Sequence, residues 1–128
     1  KSDSARKLAV LAARTADEYN ATDILVLDLR ETSPVTDYFV ICTGTSGRQM
    51  RTLAEELVRR TKAAGQRVWR KAGDQTAQWI VLDFVDVVVH LFDEEHRRFY
   101  DLELIWGEAP RVEWRPTQST PAGGSDGS

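Results

Sequence analysis

The stretch that decides the fold is Tyr38-Phe39-Val40-Ile41-Cys42-Thr43-Gly44-Thr45-Ser46. Its first five residues are apolar without alternation, which is typical of a strand that is buried on both faces. A turn follows at Thr43–Gly47, and Ser46 with Gln49 three positions later matches a capping box at the start of a helix. The stretch therefore predicts a central strand that leads into a helix packed on the sheet.

Further elements lie on both sides of this strand–turn–helix unit, each bounded by a turn or a cap signal. They are an amphipathic helix at 4–19, a strand at 24–27, an edge strand at 66–70, strands at 79–82 and 87–92 that form a hairpin through Asp83–Asp86, and a last helix capped by Asp93. The order α-β-β-α-β-β-β-α predicts an α/β fold with a mixed five-stranded sheet and about three helices.

Domain organisation follows from composition along the chain. We expect one compact domain over residues 1–110, because Pro110 ends the patterned part of the sequence. Residues 111–128 are expected to form a flexible tail, since the chain from Thr117 onward consists largely of Ser, Thr, Gly and Pro.

The overall composition excludes several classes of protein. The chain has 128 residues, of which 41% are hydrophobic and 29% charged, as expected of one globular domain. A net charge of −3 argues against a surface coated in positive charge for sequence-blind nucleic-acid binding. The single cysteine, Cys42, excludes a disulfide framework. No apolar run approaches the roughly 20 residues that cross a bilayer, so no membrane partner is expected.

The amino end carries no signal-peptide pattern, which favours a cytoplasmic protein. The first residue is Lys rather than Met. An upstream segment that targets an organelle is therefore left open.

Three helices are too few to cover both faces of such a sheet. Five strands spaced about 4.8 Å apart span roughly 20–25 Å, and a helix covers about 10 Å of that width. Part of one face should therefore stay open. Alternation places Trp79, Val81 and Asp83 on one side of their strand, which predicts an apolar contact surface there. The competing interpretation is that Trp79 lies in the core beneath a helix.

Charge is segregated along the chain. Residues 47–71 carry eight basic side chains against two acidic ones, a net charge of +6, and residues 82–104 carry seven acidic side chains against two basic ones, a net charge of −5. One interpretation is that two solvated helix faces pair within the fold. The other is that the acidic segment docks on a basic partner and speeds its association.

Few residues of the sequence indicate a catalytic, nucleotide-binding or metal site. The turn at Thr43–Gly47 resembles a phosphate cradle at a helix start, but it lacks the spacing of a P-loop. A nucleotidyltransferase would need an Asp-x-Asp pair after this unit to hold a metal ion, and none follows. We expect His90 to be a core residue and Cys42 to be an inert buried thiol rather than its catalytic partner. No enzyme activity, cofactor or metal site is expected, and a nucleotidyltransferase-like enzyme is the alternative.

Several stretches taken together resemble one family. The chain resembles the ribosomal silencing factor family, also called the Iojap family, over residues 5 to about 109. The stretches that carry the resemblance are Thr36–Ser46, Trp79–Asp83, Asp86–His90 and Arg98–Glu103, with Trp106 near the end.

The resemblance implies a fold and a function. The fold is a mixed α/β sheet related to nucleotidyltransferases without their catalytic acids. The function is that of a non-enzymatic translational repressor linked to maturation of the large ribosomal subunit. Members of the family bind that subunit through large-subunit ribosomal protein fourteen and block joining of the small subunit.

The resemblance leads us to expect the following roles for the residues that contact the ribosome. Trp79 and Val81 are expected to supply an apolar anchor, Arg98 and Tyr100 nearby polar contacts, and the acids an electrostatic rim. The acidic set is Asp83, Asp86, Asp93, Glu94 and Glu95. No sequence-specific contact with nucleic acid is expected, and the same open face could join two copies as a homodimer.

Two positions depart from the family pattern. Val85 stands where family members usually have Gly, and Leu104 stands where they usually have a basic residue. Gly permits a positive φ that a β-branched residue resists, so the turn at Val85 is expected to differ.

Overall fold

The computed structural model describes residues 2–73, 78–100 and 108–115. Within these ranges the chain forms three helices and five strands in the predicted order. The helices are α1 (Ser2–Glu18), α2 (Gly47–Ala63) and α3 (Glu94–Tyr100); the strands are β1 (Thr22–Asp28), β2 (Tyr38–Gly44), β3 (Arg70–Gly73), β4 (Trp79–Asp83) and β5 (Val87–Asp93).

The five strands form one sheet in the order β1-β2-β5-β4-β3. Only the β2–β5 pair is parallel, and the other three pairs are antiparallel. The predicted mixed five-stranded sheet with three helices is therefore confirmed. As expected from its unbroken apolar run, β2 is an interior strand with neighbours on both sides.

The predicted Ser46 cap at the start of α2 is confirmed, and the return bond of the capping box goes to Thr45 instead of Ser46. Ser46 Oγ accepts a hydrogen bond from the Gln49 backbone N–H at 3.1 Å. The Gln49 side chain accepts from the Thr45 N–H at 2.7 Å and donates to the Tyr19 carbonyl at 2.7 Å. Gln49 thus fixes the start of α2 against the chain that leaves α1.

One side of the sheet is covered by helices and the other is only partly covered. On the covered side, buried strand residues such as Val40, Leu82 and Val89 share one core with α1 and α2. On the other side, α3 packs at the ends of β2 and β5, where Arg97 donates to Thr43 Oγ1 at 2.7 Å. Among the described residues, no helix covers the part of that side formed by Phe39, Val81, Val88 and His90, as the shortage of helices predicted.

The packed part of the chain extends past the expected boundary at Pro110. The Asp28 N–H donates to the Pro110 carbonyl at 2.8 Å, and the Val112 N–H donates to the Val26 carbonyl at 2.8 Å. Trp114 is 4% exposed, and its indole N–H donates to the Ile24 carbonyl at 3.3 Å. The physical reason is that β1 is an edge strand whose backbone groups need partners. Residues 116–128 of the predicted tail lie outside the described residues.

The third strand lies further along the chain than expected, at Arg70–Gly73 instead of 66–70. Its position is set by its antiparallel pairing with β4, which places Arg70 opposite Asp83 and Gly73 opposite Ile80. Gly73 has a φ of 135°, and a Cβ there would lie 2.3 Å from the Trp79 carbonyl oxygen. Glycine is therefore required where β3 meets the start of β4.

No helix in the described ranges is long and apolar enough to span a membrane.

Candidate docking surface

The open side of the sheet carries an apolar groove of about 880 Å³. We call it the open-face groove. Its floor is formed by β2, β4 and β5, and its walls by the loop at 32–36, the start of β3 and the β4–β5 hairpin. The lining residues are Thr32, Ser33, Pro34, Val35, Thr36, Phe39, Trp69, Arg70, Val81, Asp83, Val85, Val88 and His90.

The rim of the groove holds large apolar side chains in water. Val35 is 78% exposed, Trp69 67% and Val85 50%. These are the exposed large hydrophobic residues in the described part of the chain, and all three line this one groove. Singly exposed apolar residues are common, but their concentration around one apolar groove marks a contact surface.

Strand register places the floor residues beside one another. Val81 lies opposite His90, and Asp83 lies opposite Val88. An aromatic row then leads from the groove toward α3. The Phe39 ring lies 4.7 Å from His90, and the rings of His90, Phe92 and Trp79 stack at centroid spacings of 5.9 Å.

The His90 ring in the floor of the groove carries no charge near neutral pH. Burial lowers the pKa of His90 to about 4, against a smaller opposing effect of Asp83. Neither ring nitrogen of His90 has a hydrogen-bond partner among the described residues. Asp83 accepts a hydrogen bond from the Val85 N–H at 2.8 Å, so its carboxylate shapes the hairpin as well as the rim.

The predicted apolar anchors, Trp79 and Val81, lie on the expected face of the sheet, but only Val81 lines the groove. Trp79 is partly buried, stacks on Phe92 and packs with a cluster that includes Leu27 and Ile41. It is therefore neither sealed beneath a helix nor fully free, and it continues the aromatic row away from the groove.

The predicted acidic rim does not form one patch. Asp83 lines the groove and Asp86 lies in the hairpin beside Val85, at the start of β5. The other three acids lie around the end of β5, about 20 Å away along a seven-residue strand. Asp93 caps α3 by accepting from the His96 N–H at 2.8 Å, and Glu94 and Glu95 are exposed in the first turn.

Other residues named from the sequence lie outside what the structure describes. The side chains of Arg98 and Tyr100 are not described, although their backbone belongs to α3. Leu104 also lies outside the described residues.

Sequence reasoning missed the rim residues Trp69 and Val35. Trp69 stands between Val68 and Arg70 at an edge strand, and an aromatic residue beside a charge at a sheet edge signals exposure. Val35 follows Pro34 in a turn, where an apolar side chain has no strand or helix to bury it. Both signals are local, but only the fold brings the two residues to the same groove.

The residues considered for chemistry are not arranged for it. Cys42 lies on the helix-covered side of the sheet and His90 on the open side, so they form no dyad. Burial raises the pKa of Cys42 to about 12. In the turn before α2, the N–H groups of Thr45 and Gln49 are bonded to side chains of the same turn. Among the described residues, no group of three or more His, Cys, Asp or Glu could hold a metal ion.

A mixed sheet that is covered by helices on one side and carries an exposed apolar groove on the other is typical of a small α/β protein that binds a macromolecular partner. Over residues 2–126 the chain matches the family model described as "Ribosomal silencing factor during starvation". The chain therefore belongs to the ribosomal silencing factor family.

Individual relatives agree with this assignment. The chain is 39% identical over 105 residues to the ribosomal silencing factor RsfS of Bacillus subtilis, covering 82% of this chain and 89% of that one. It is 34% identical over 90 residues to the mouse protein named "Mitochondrial assembly of ribosomal large subunit protein 1", covering 68% and 40%. A crystal structure of a Bacillus halodurans protein superimposes with a TM-score of 0.73 at 34% identity, covering 84% and 98%.

Proposed function

We propose that this protein binds the large ribosomal subunit through large-subunit ribosomal protein fourteen and blocks joining of the small subunit, so that translation is repressed. Family membership supports a silencing role at the ribosome. The name of the mouse relative supports the large subunit as the place of binding. The cytoplasm is the proposed compartment. Large-subunit ribosomal protein fourteen is proposed as the direct partner because the family resemblance implies it.

The observation that carries this proposal is the gathering of exposed Val35, Trp69 and Val85 around the open-face groove. A tryptophan that is exposed in the free protein gains most from burial in a partner, since aromatic residues commonly dominate binding energy. Val81, Val88 and His90 are neutral, so burying these three side chains under a partner carries no penalty for desolvating a charge. The groove is therefore the proposed centre of the interface.

The proposed mechanism is steric: the protein only has to occupy the face of the large subunit, and no covalent bond is made or broken. A standard interface covers on the order of 800 Å² per partner. A folded chain of this length has a radius of gyration of about 14 Å. A rigid body of that size, held at the face where the subunits meet, would overlap the incoming small subunit. The role is therefore regulatory rather than enzymatic.

The residues predicted from the sequence keep a place in this proposal as its periphery. Asp86, Glu94 and Glu95 would steer a basic ribosomal protein toward the groove, and Arg98 and Tyr100 would add polar contacts. Asp83 and Asp93 are tied to the hairpin and to the α3 cap, so their substitution would change local structure as well as charge.

Two substitutions on the rim test the proposal. Purified large subunits are co-sedimented with the wild-type protein, Trp69→Ala and Val35→Asp. Val35 is 78% and Trp69 67% exposed, so the fold should tolerate the changes. We expect each variant to bind about tenfold more weakly or worse, since removing an aromatic residue that is buried by the partner, or burying an unpaired charge, costs more than about 1.4 kcal/mol.

The matched control is Asn20→Asp, which adds one negative charge after α1, at an exposed position away from the groove. This variant should bind like the wild type, and its thermal melt verifies that the fold is kept. In a subunit-joining assay, the wild-type protein should lower the yield of joined ribosomes and the two rim variants should not. The proposal fails if the wild type does not bind free large subunits at moderate salt, or if the rim variants bind as tightly as it does.

A further inference from the structure

Several basic side chains lie at the α2–β3 edge of the molecule, and among them Arg70 also lines the open-face groove. Six of them are exposed and form no ion pair with any described acid. By contrast, Arg59 and Arg60 are held by Glu56, and Arg60 also binds Glu18. The six unpaired side chains are Arg48, Arg51, Lys62, Arg67, Arg70 and Lys71.

Two of these cations flank a shallow groove of about 270 Å³ between α2 and β3, which we call the basic groove. Arg51 comes from α2 and Lys71 from β3. Between them lie Ala54, Ala72, Gly73 and Ile80, with Glu55 as the single acid of the lining. The two cations therefore outnumber the carboxylate, and Arg48 precedes Arg51 by one helical turn on the same exposed surface.

Strand β3 connects the basic groove with the open-face groove. It is the outer strand of the sheet, and successive residues point to opposite faces. Arg70 accordingly lines the open-face groove, whereas Lys71 lines the basic groove. A partner seated in the open-face groove would thus have positive charge directly beside it.

We propose that the α2–β3 edge binds the phosphate backbone of RNA. Residues 47–71, which include α2 and the start of β3, carry eight basic and two acidic side chains, although the chain as a whole has a net charge of −3. Separate, extended Lys and Arg side chains around a shallow groove suit a polymer with regularly repeated charge, and such contacts position a protein without reading sequence. An acidic protein surface is the competing occupant, which the experiment distinguishes.

This inference adds a second partner to the proposed function, and it rests on that function only in taking the RNA to be ribosomal. The protein partner would occupy the open-face groove, and RNA of the same particle would lie along the α2–β3 edge. Two-point attachment would fix the orientation of the protein on the subunit, which a single apolar contact would not.

The test uses large-subunit ribosomal RNA freed of protein as the probe. Binding of the full chain is measured over a range of salt concentrations for the wild type and for the double variant R51Q/K71Q. We expect the double variant to bind at least fivefold more weakly at low salt. The slope of log Kd against log salt should fall by about 1.4 to 2, from the loss of two phosphate contacts.

The control is the double variant R6Q/K7Q, which removes the same charge from the exposed surface of α1. It should bind RNA like the wild type if position matters and not net charge alone. The inference is overturned if the wild type does not bind the RNA, if R51Q/K71Q binds equally well, or if R6Q/K7Q loses as much affinity. Thermal melts of each variant verify that the fold is kept.

Measurements on intact large subunits separate this inference from the proposed function. Val35→Asp should lose binding to subunits while it keeps binding to free RNA, and R51Q/K71Q should weaken both. If R51Q/K71Q weakens binding to subunits but not to RNA, the edge faces an acidic protein and the RNA assignment is wrong. If the wild type binds RNA but no subunits, the proposed function fails while the RNA surface stands.

Discussion

Val85 is held in a backbone conformation that its side chain disfavours. Its φ is 76°, in the left-handed region, where a β-branched residue is strained. The hairpin holds it there because its N–H donates to Asp83 Oδ1 at 2.8 Å and the adjacent Phe84 N–H donates to the Val87 carbonyl at 2.8 Å. The family resemblance drew attention to this position because Gly is usual there. The backbone at Val85 adopts the left-handed conformation that suits Gly.

We predict that Val85→Gly raises the free energy of unfolding by about 0.5–1 kcal/mol. Relief of the left-handed strain yields about 1–2 kcal/mol, and the added freedom of Gly in the unfolded chain offsets part of it. Urea unfolding measures the change. Val85→Ala is the control, since it keeps the strain and should give no gain. Equal stabilisation by both variants would show that the side chain, and not the backbone, is responsible. Because Val85 is on the rim, Val85→Gly should also weaken binding to subunits.

His90 couples stability to pH through its burial in the floor of the open-face groove. Its pKa is lowered to about 4 in the folded protein, against about 6.5 in the unfolded chain. The unfolded state therefore binds the proton more readily, and the contribution present above pH 6.5 is lost as pH falls toward 4. The loss is on the order of 3 kcal/mol over that interval.

We predict that His90→Phe removes this part of the pH dependence. The substitution keeps an aromatic ring between Phe39 and Phe92 and deletes the titrating group. The free energy of unfolding of both proteins is measured from pH 7.5 to pH 4.5. The difference between variant and wild type should grow in favour of the variant as the pH falls. A constant difference across the range would contradict the assignment.

Trp79 shows how one side chain can serve both the core and a surface. Its stacking on Phe92 and its packing beside Leu27 and Ile41 make it part of the smaller core cluster. Replacing it by Ala would therefore disturb folding as well as docking. Trp69 is the better probe of docking, because it is 67% exposed and its loss affects little inside the protein.

At the scale of elements, the two edges of the sheet are treated differently. Edge strand β1 is covered by residues 110–114, with an isolated bridge between Leu27 and Arg111 and with Trp114 buried beside it. Arg14 of α1 donates to the Trp114 carbonyl at 2.8 Å and fastens the segment from the helix side. Edge strand β3 has exposed residues throughout and basic side chains at Arg70 and Lys71. One edge is thus closed by the chain itself, and the other is kept from aggregation by charge.

We predict that a chain ending at Pro110 is several kcal/mol less stable than a chain ending at Arg115. The shorter chain loses the buried Val112 and Trp114 side chains, and burial of a tryptophan alone contributes about 3–5 kcal/mol. Thermal or urea unfolding of both truncated chains and of the full chain measures the effect. The chain ending at Arg115 should match the full chain. If it is destabilised as much as the shorter one, residues 116–128 contribute to the fold and are not a tail.

At the scale of the whole molecule, charge and apolar surface are arranged on different parts of one sheet. The helix-covered side provides the core, the open side provides the groove, and the α2–β3 edge carries the unpaired cations. The homodimer predicted from the sequence stays a prediction; if it forms through the open face, it would compete with the subunit for Trp69. The same arrangement suits a protein that acts by being held in one orientation on a large partner.

The sequence by itself determined the element order, the mixed sheet, the Ser46 cap and the existence of an open face. These follow from local signals and from a count of helices against strands, which need no knowledge of long-range pairing. It also pointed to the family, because the motifs are long and occur in a fixed order.

Only the tertiary structure decided which side chains meet on that open face. Strand order placed Val81 and Asp83 in the groove, and it left Asp93, Glu94 and Glu95 at the far end of β5. Pairing also brought Val35 and Trp69, which are 34 positions apart, to one rim, and it drew Trp114 onto β1. The physical reason is that alternation fixes which face a strand residue points to, whereas its neighbours on that face depend on register with distant strands.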